Sequence, residues 1–226
     1  MSLFPMFVKL AGRPCLVVGA GVVGTSKIEG LLAAGASIRV VAPEATADVR
    51  EWSRTGRISW LERGFEPHDL DGTFLAVVAT PSRDLNARIF DEANRRGVLC
   101  NVVDDPPLCD FYYPAVVRRG DLQIAISTNG RSPALAARLR RDLEQQFGAE
   151  YSVWVEELGR EREKILAGAS AADLGVQPDG DRSSTGIQLE VQGIRPKSSL
   201  ELHERREQLH AMASREAFQK FLARKG

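Results

Sequence analysis

Two stretches of this chain combine residue types and spacings that could do chemistry. The first is Cys15-Leu16-Val17-Val18-Gly19-Ala20-Gly21-Val22-Val23-Gly24, an apolar run that enters a G-x-G-x-x-G turn. Each glycine answers a separate demand of a dinucleotide site. Gly19 permits a tight turn out of a strand, and Gly21 lets the backbone approach a pyrophosphate. Gly24 lets the following helix pack close to the strand, so that its N-terminal N–H groups face the phosphate charge. The second stretch is Asn101-Val102-Val103-Asp104-Asp105-Pro106-Pro107. It sets two adjacent carboxylates where an apolar run ends, ahead of prolines that force an extended exit. A carboxylate held in a partly dry cleft is a candidate proton acceptor. Side chains alternate along a strand, so either only one of Asp104 and Asp105 faces the crevice, or Asp105 simply precedes a turn and both are solvated, which for either one taken blind is the stronger reading. The pattern alone does not choose between the two carboxylates.

The elements that must position these residues follow from periodicity. A helical spacing of Val23, Ile28, Leu31 and Leu32 runs to Gly35, and a second strand, Ser37 to Val41, follows at βαβ spacing. That strand leads into Ala42-Pro43-Glu44, where the usual ribose-binding acid of such a fold is displaced past a proline; Glu44 is either its substitute or a solvated loop residue. No Arg or Lys lies in Val41 to Ala45 to hold a 2′-phosphate, which favours NAD over NADP. Met6 to Leu10 reads as a short edge strand before the glycine turn. After it, Thr46 to Thr55 reads as a helix with Val49 and Trp52 on one side, Arg57 to Leu61 as a third strand, and Gly64 to Asp69 as a loop. Phe74 to Ala79 is a nearly continuous apolar run, the mark of a strand covered on both faces. It ends at Thr80-Pro81-Ser82, with Ser82 as cap of a helix to Arg96 that Gly97 closes. Val98 to Val103 is another buried strand. Strands alternating with helices specify an α/β Rossmann-type fold, a doubly wound parallel sheet whose ligands lie beyond the carboxyl ends of the strands. Three strand ends therefore belong together: Gly19 to Gly24, Ala79-Thr80-Pro81, and Asn101 to Pro107.

Beyond Pro107 the repeat changes. Tyr112 to Val117 and Leu122 to Ser127 read as a hairpin across Arg118-Arg119-Gly120-Asp121. Ser127-Thr128-Asn129-Gly130-Arg131-Ser132-Pro133 leads into a helix, Ala134 to Phe147, with Ser132 and Pro133 in N-cap and N1 order and one apolar stripe of Leu135, Leu139 and Leu143. A helical pattern continues through Val153, Leu158, Ile165 and Leu166. Residues 168–196 read as a loop insertion, with a short strand within Ile187 to Pro196. A capping box at Ser198-Ser199-Leu200-Glu201 opens a last helix to about Arg224. His203 and His210 on it are surface residues. The expected division is a dinucleotide-binding domain over 1–112, a hairpin and helix region over 113–149, and a helical region over 150–226.

Composition narrows the function classes. Basic and acidic residues balance at 30 each, so no global charge points to nucleic acid or an anionic membrane. Cys15, Cys100 and Cys109 form no C-x-x-C pair or zinc spacing, which fits a reducing cytosol. No apolar run reaches the ~18 residues of a membrane span, and the N-terminus lacks the pattern of a signal peptide. A cytoplasmic protein is expected.

With these stretches in view, the chain resembles the precorrin-2 dehydrogenase / sirohydrochlorin ferrochelatase family, the dehydrogenase-chelatase half of siroheme synthase. The resemblance rests on Phe4-Pro5-Met6-Phe7, Cys15 to Gly21, Leu32-Ala33-Ala34-Gly35-Ala36, Leu75 to Thr80, Cys100-Asn101-Val102-Val103-Asp104, Phe111 with Pro114, and Ser127 to Pro133, in order over roughly residues 1 to 150. It implies oxidation of precorrin-2 to sirohydrochlorin with NAD as hydride acceptor, followed in some members by insertion of ferrous iron. It implies a homodimer formed through the hairpin and its following helix. It selects Asp104, which closes N-V-V-D, as general base and as the residue near the metal-insertion chemistry. Cofactor contacts fall on Gly19, Gly21, Val22, Val23, Gly24, Pro43, Glu44 and Thr80. Substrate contacts fall on Asn101 and on Ser127, Thr128, Gly130, Arg131 and Ser132. The substrate is a polycarboxylate, and Arg118, Arg119, Arg131, Arg138, Arg140 and Arg141 offer forked cationic partners; Arg131, just ahead of a helix N-terminus, is the one singled out.

Rival readings make different demands. A short-chain dehydrogenase would carry Tyr-x-x-x-Lys, and none of Tyr112, Tyr113 or Tyr151 has Lys four residues on. A nucleotide-sensing Rossmann module would need the glycine turn but neither Asp104 nor the arginines.

Overall fold

Strand β1 (Pro14–Ala20) lies at the middle of a five-stranded parallel sheet, and its alternation builds two cores at once. Cys15 and Val17 point to one face, Leu16 and Val18 to the other, and all four are buried. Helices α1 (Val22–Ala33) and α2 (Ala47–Arg54) cover the first face with Ile28, Leu31 and Val49. Helix α3 (Arg83–Arg95) covers the second with Ile89 and Ala93. The other strands are β2 (Ser37–Ala45), β3 (Ser59–Leu61), β4 (Leu75–Val78) and β5 (Leu99–Val102), in the spatial order β3-β2-β1-β4-β5. Every residue of β4 is buried, as a strand sandwiched between helices must be. Burial of each such aliphatic side chain contributes about 2 kcal/mol.

This is a computed structural model that describes residues 3–173, 207–208 and 211–225. They divide into two compact units, one up to Tyr113 and one from Pro114 onward. No helix among the described residues is long and apolar enough to cross a membrane.

In the second unit β6 (Ala115–Arg119) and β7 (Leu122–Ile126) form an antiparallel hairpin, followed by α4 (Pro133–Gln146), α5 (Glu150–Asp173) and α6 (Arg215–Lys225). The turn is only Gly120-Asp121, with Gly120 at φ 57°; Arg118 and Arg119 belong to the strand and not to the turn. Arg119 closes the end of α4, its Nε donating to Phe147 O at 2.7 Å and Nη2 to Glu144 O at 3.0 Å. These satisfy carbonyls that a helix C-terminus leaves without partners. Tyr151 and Trp154 of α5 pack on Phe218 of α6, with ring centroids 4.5 and 4.4 Å apart.

Several expectations are corrected. Met6 to Leu10 pairs with no strand among the described residues: Phe4, Met6, Phe7 and Val8 are exposed and, of this segment, Leu10 packs on the core. The expected loop at 168–196 begins later, because α5 carries its helical backbone through to Asp173; the rest of that loop, the strand within Ile187 to Pro196, the capping box at Ser198 and both His203 and His210 lie outside the described residues. The last helix is not continuous, since a turn at Ala213-Ser214 restarts it with Ser214 Oγ accepting from Ala217 N at 3.1 Å. The leucine stripe of α4 is present, but only Leu143 of it is half-buried. Leu135 and Leu139 are 46% and 38% exposed, and it is Ala136 that is buried.

The expected loop at Gly64 to Asp69 contains a 3-10 turn, Pro67–Leu70, with a buried acid. Asp69 is 1% exposed and is held by the Arg63 fork at 2.6 and 2.8 Å and by the Glu66 amide at 2.8 Å. Burial alone would raise its pKa; the Arg63 and Glu66 hydrogen bonds, with the charges of Arg63 and His68, outweigh burial and leave it below the ordinary carboxylate value. A depressed folded-state pKa contributes stability that is present above the unfolded value near 4 and is lost as pH falls through the folded value below it. Asp69→Asn should therefore lower Tm at pH 7 by about 5 °C or more, and thermal melts should show the gap to the unaltered protein narrowing below about pH 4.

Candidate functional site

The carboxyl edge of the sheet is defined by one register row. Leu61, Val41, Val18, Val78 and Val102 lie side by side across β3, β2, β1, β4 and β5. One or two residues past that row come Gly19, Ala79-Thr80 and Val103-Asp104. Neighbouring strands are about 4.8 Å apart, so the end of β5 stands roughly 10 Å along the edge from that of β1.

The three glycines of the turn are needed for different reasons, and the geometry separates them. Gly19 has φ 99°, and a Cβ on it would collide with the carbonyl of Ala79. A Cβ on Gly24 would collide with the carbonyl of Gly19. Gly21 has an ordinary φ of −73°, and its Cβ would meet nothing within 4 Å. Packing inside the protein thus requires Gly19 and Gly24, whereas the space above Gly21 is open to a ligand. Gly21 is the N-cap of α1 and offers no side-chain cap, and the first turn carries no acid. Val22 and Val23 are 82% and 47% exposed. The N–H groups of Val22, Val23 and Gly24 find no acceptor among the described residues. An uncapped helix start with open space above it suits a phosphate group. Thr25 braces the turn from below, its Oγ1 donating to Gly21 O at 2.9 Å and lying 2.8 Å from Thr46 Oγ1.

At the end of β2 the strand continues past Pro43 to Ala45, which pairs with Ala20 after a register shift. Pro43 and Glu44 are therefore exposed strand residues at the edge beside the glycine turn. Arg50 of α2 reaches the same end, with Nε donating to Ala45 O at 3.1 Å and the guanidinium 5.3 Å from the Trp60 ring centroid. Sequence inspection of Val41 to Ala45 missed this cation because it comes from the next helix.

Thr80 lies past β4 with its hydroxyl already committed: it donates to Asn86 Oδ1 at 2.5 Å and accepts from Ser82 N at 3.3 Å. Asn86 Nδ2 returns a bond to Thr80 O at 3.1 Å. Asn86 is 8% exposed on α3 and was not legible as a site residue, since only the fold brings it back to the strand end.

Asp104 follows β5 with φ 62°, one of two non-glycine residues in the left-handed region among the described residues. Its carboxylate is exposed and has no protein partner among the described residues, whereas Asp105 is half-buried. Asn101 is buried, and its amide donates to Phe111 O at 2.7 Å and Cys109 Sγ at 3.3 Å. The Asn101 amide thus holds the chain that leaves the strand.

In the second unit, Ser127 to Ser132 forms a tight loop. Ser127 Oγ accepts from Asn129 N at 3.2 Å, Thr128 Oγ1 from Ser132 N at 3.1 Å, and Thr128 O from Arg131 N at 3.0 Å. Asn129 and Gly130 have φ 54° and 74°. Ser132 Oγ caps α4 through Leu135 N at 3.3 Å. Arg138 and Arg140 are engaged by Asp142 and Glu144. Arg131 is exposed with no acidic partner among the described residues.

A five-stranded doubly wound sheet with an uncapped glycine turn at its switch point defines a dinucleotide-binding Rossmann protein. An NAD(P)-binding family model matches residues 6–115, and the central-region model of sirohaem biosynthesis proteins matches residues 119–146. Siroheme synthase 1 of Serratia proteamaculans is 42% identical over 165 residues, which cover 73% of this chain and 35% of that protein. Siroheme synthase 1 of Yersinia enterocolitica is 45% identical over 144 residues, 64% of this chain and 30% of that protein. The chain thus spans about a third of the length of the curated relatives it matches. Among solved structures, SirC, a precorrin-2 dehydrogenase, superposes with a TM-score of 0.68 at 26% identity, covering 95% of this chain and 91% of that one. The chain is thus similar to the siroheme synthases over most of its length and to the precorrin-2 dehydrogenase SirC in fold, and it carries an NAD(P)-binding match followed by a sirohaem-biosynthesis central match.

The two kinds of glycine predict a clean contrast. Gly21→Ala should leave Tm within about 1 °C, because its methyl meets no protein atom, yet raise the dissociation constant for NAD about tenfold or more by occupying the phosphate approach. Gly24→Ala should lower Tm by about 5 °C or more through backbone collision. Calorimetric titration with NAD and thermal melts of the two variants check both.

Proposed function

We propose that this protein oxidises precorrin-2 to sirohydrochlorin with NAD as hydride acceptor, in the route to siroheme. The observation that carries the reading is the pairing, on one sheet edge, of an open phosphate cradle at Gly19 to Gly24 with the unpaired carboxylate of Asp104. The similarity to the siroheme synthases and to SirC supports the choice of substrate.

In this reading the N–H groups of Val22, Val23 and Gly24 bind the pyrophosphate, and Glu44 accepts from the ribose hydroxyls beside Pro43. NAD, when bound, supplies the hydride acceptor. Asp104 takes the proton as a hydride leaves the macrocycle, so the substrate loses two electrons and two hydrogens and gains conjugation. Fixing Asp104 at a strand end supplies orientation, which accounts for much of the rate in such reactions. The main chain of Thr80 contributes on the cofactor side, since its hydroxyl is held by Asn86. The substrate carboxylates are assigned to Arg131 and to the loop of Ser127, Thr128, Gly130 and Ser132, and Asn101 supports the strand end beneath Asp104. Insertion of ferrous iron, as a substrate metal, is proposed as a second step that rests on Asp104 and the tetrapyrrole's own nitrogens. Functionally, residues 1–112 serve the cofactor, 113–149 the substrate and subunit contact, and 150–226 form the helical remainder. A cytoplasmic location completes the reading.

The exposed Leu135 and Leu139 on α4 support a homodimer through this region, since adjacent exposed leucines mark an apolar contact face.

Anaerobic incubation with precorrin-2 and NAD should give NAD-dependent formation of sirohydrochlorin, and adding ferrous iron should speed metal insertion over a no-protein control. Asp104→Asn should reduce turnover about 10²-fold or more with NAD affinity unchanged; full turnover in that variant removes the base assignment. Leu135→Asp combined with Leu139→Asp should shift the molar mass in light scattering from dimer to monomer.

A further inference from the structure

A non-glycine residue in the left-handed region is strained and persists only where its surroundings over-determine it. Asp104 is such a residue, and the bonds that constrain it are on either side of it. Val102 O, two residues before Asp104, accepts from Asp105 N at 3.3 Å and from Cys109 Sγ at 3.1 Å. Asp105 O, one residue after, accepts from Leu108 N at 2.9 Å and from Cys109 Sγ at 3.3 Å. One thiol, its single proton shared between them, therefore reaches the two carbonyls that bracket Asp104. That sulfur is in turn held from behind, accepting from Asn101 Nδ2 at 3.3 Å, and residues 101 and 109 also form a backbone bridge. Burial pushes the Cys109 thiol above its ordinary pKa; the Val102 bond opposes this, and the neighbouring Asp105 and Asp110 charges add to it. The sulfur thus keeps the proton that it donates.

We propose that Cys109, seated on Asn101, is a positioning residue that holds the turn of Asp104 and so sets where the Asp104 carboxylate stands at the carboxyl edge of the sheet. The inference rests on the reading of Asp104 as the base. Cys109 does not touch the reacting atoms; it acts through the backbone on both sides of Asp104. Nothing in the sequence motif marks it, because it lies five positions on from Asp104 and only the turn over Pro106–Leu108 brings it back.

The test uses the full chain and compares Cys109→Val, which keeps the site filled by an apolar side chain and removes the donor, with Cys109→Ser, which keeps a donor and acceptor at the same place. The readouts are kcat for sirohydrochlorin formation, the dissociation constant for NAD, and Tm. Cys109→Val should lose about tenfold in kcat, since a shift of 1 Å in a reacting group can cost as much as a hundredfold. Its NAD affinity should stay within about twofold, because the cradle at Gly19 to Gly24 is built independently. Cys109→Ser should recover most of the turnover. Should Cys109→Val not fold, Cys109→Ala carries the same expectation. Unchanged kcat in the valine and alanine variants overturns the proposal, as does a loss of equal size in the serine variant or one that tracks NAD affinity and Tm. Asp104→Asn is measured alongside. If it is inactive while Cys109→Val is fully active, the positioning role fails and the base stands; if Asp104→Asn is fully active, the base assignment itself fails.

Discussion

The contact on which the rest of this molecule depends is between backbones. The Gly19 carbonyl lies where a Cβ of Gly24 would be, and the Ala79 carbonyl lies where a Cβ of Gly19 would be. These approaches pull the start of α1 down onto the end of β1 and bring the end of β4 against the turn. Without them the helix would stand away from the sheet, and its N-terminal N–H groups would no longer gather over the switch point. The two-sided core makes the approach affordable: alternate residues of β1 are buried on opposite faces, so the strand cannot yield to either side.

The edge so formed carries two chemistries that want opposite surroundings. At β1 the chain presents donors without acceptors, which favours an anion. At β5 it presents an acceptor without donors, the exposed carboxylate of Asp104. Two strand spacings separate them, so the positive potential of the helix start and the negative charge of the carboxylate need not cancel each other. The loops between are stiffened by side chains that face inward: Asn86 ties Thr80, and Asn101 ties Phe111 and Cys109. Buried amides are suited to this, since each offers both donors and an acceptor to the main chain.

The second unit is organised differently. Its hairpin has only two strands, too few to stand alone, and it is stabilised by α4 and α5 and by the Arg119 guanidinium across the end of α4. The outward leucines of α4 show that an apolar stripe read from spacing does not say what, if anything, covers it. The same uncertainty applies to Met6 to Leu10, a largely apolar segment that reads as an edge strand although no strand among the described residues pairs with it.

By itself the sequence determined the alternation of strands and helices up to Val103, the glycine turn, the caps at Ser82 and Ser132 and the carboxylates after β5, because these depend on spacing and on the intrinsic conformations of a few residue types. It also carried the resemblance to siroheme synthases, through motifs that keep their order along the chain. Tertiary structure alone decided what those residues meet. It distinguished Gly21, open above, from Gly19 and Gly24, which are closed by backbone. It brought Arg50 to the end of β2 and Asn86 to Thr80, and it buried Asp69 beneath Arg63. It also set Cys109 across the turn of Asp104. In each case the partners come from different elements or from opposite ends of a turn, and a local pattern holds no record of the distance between them.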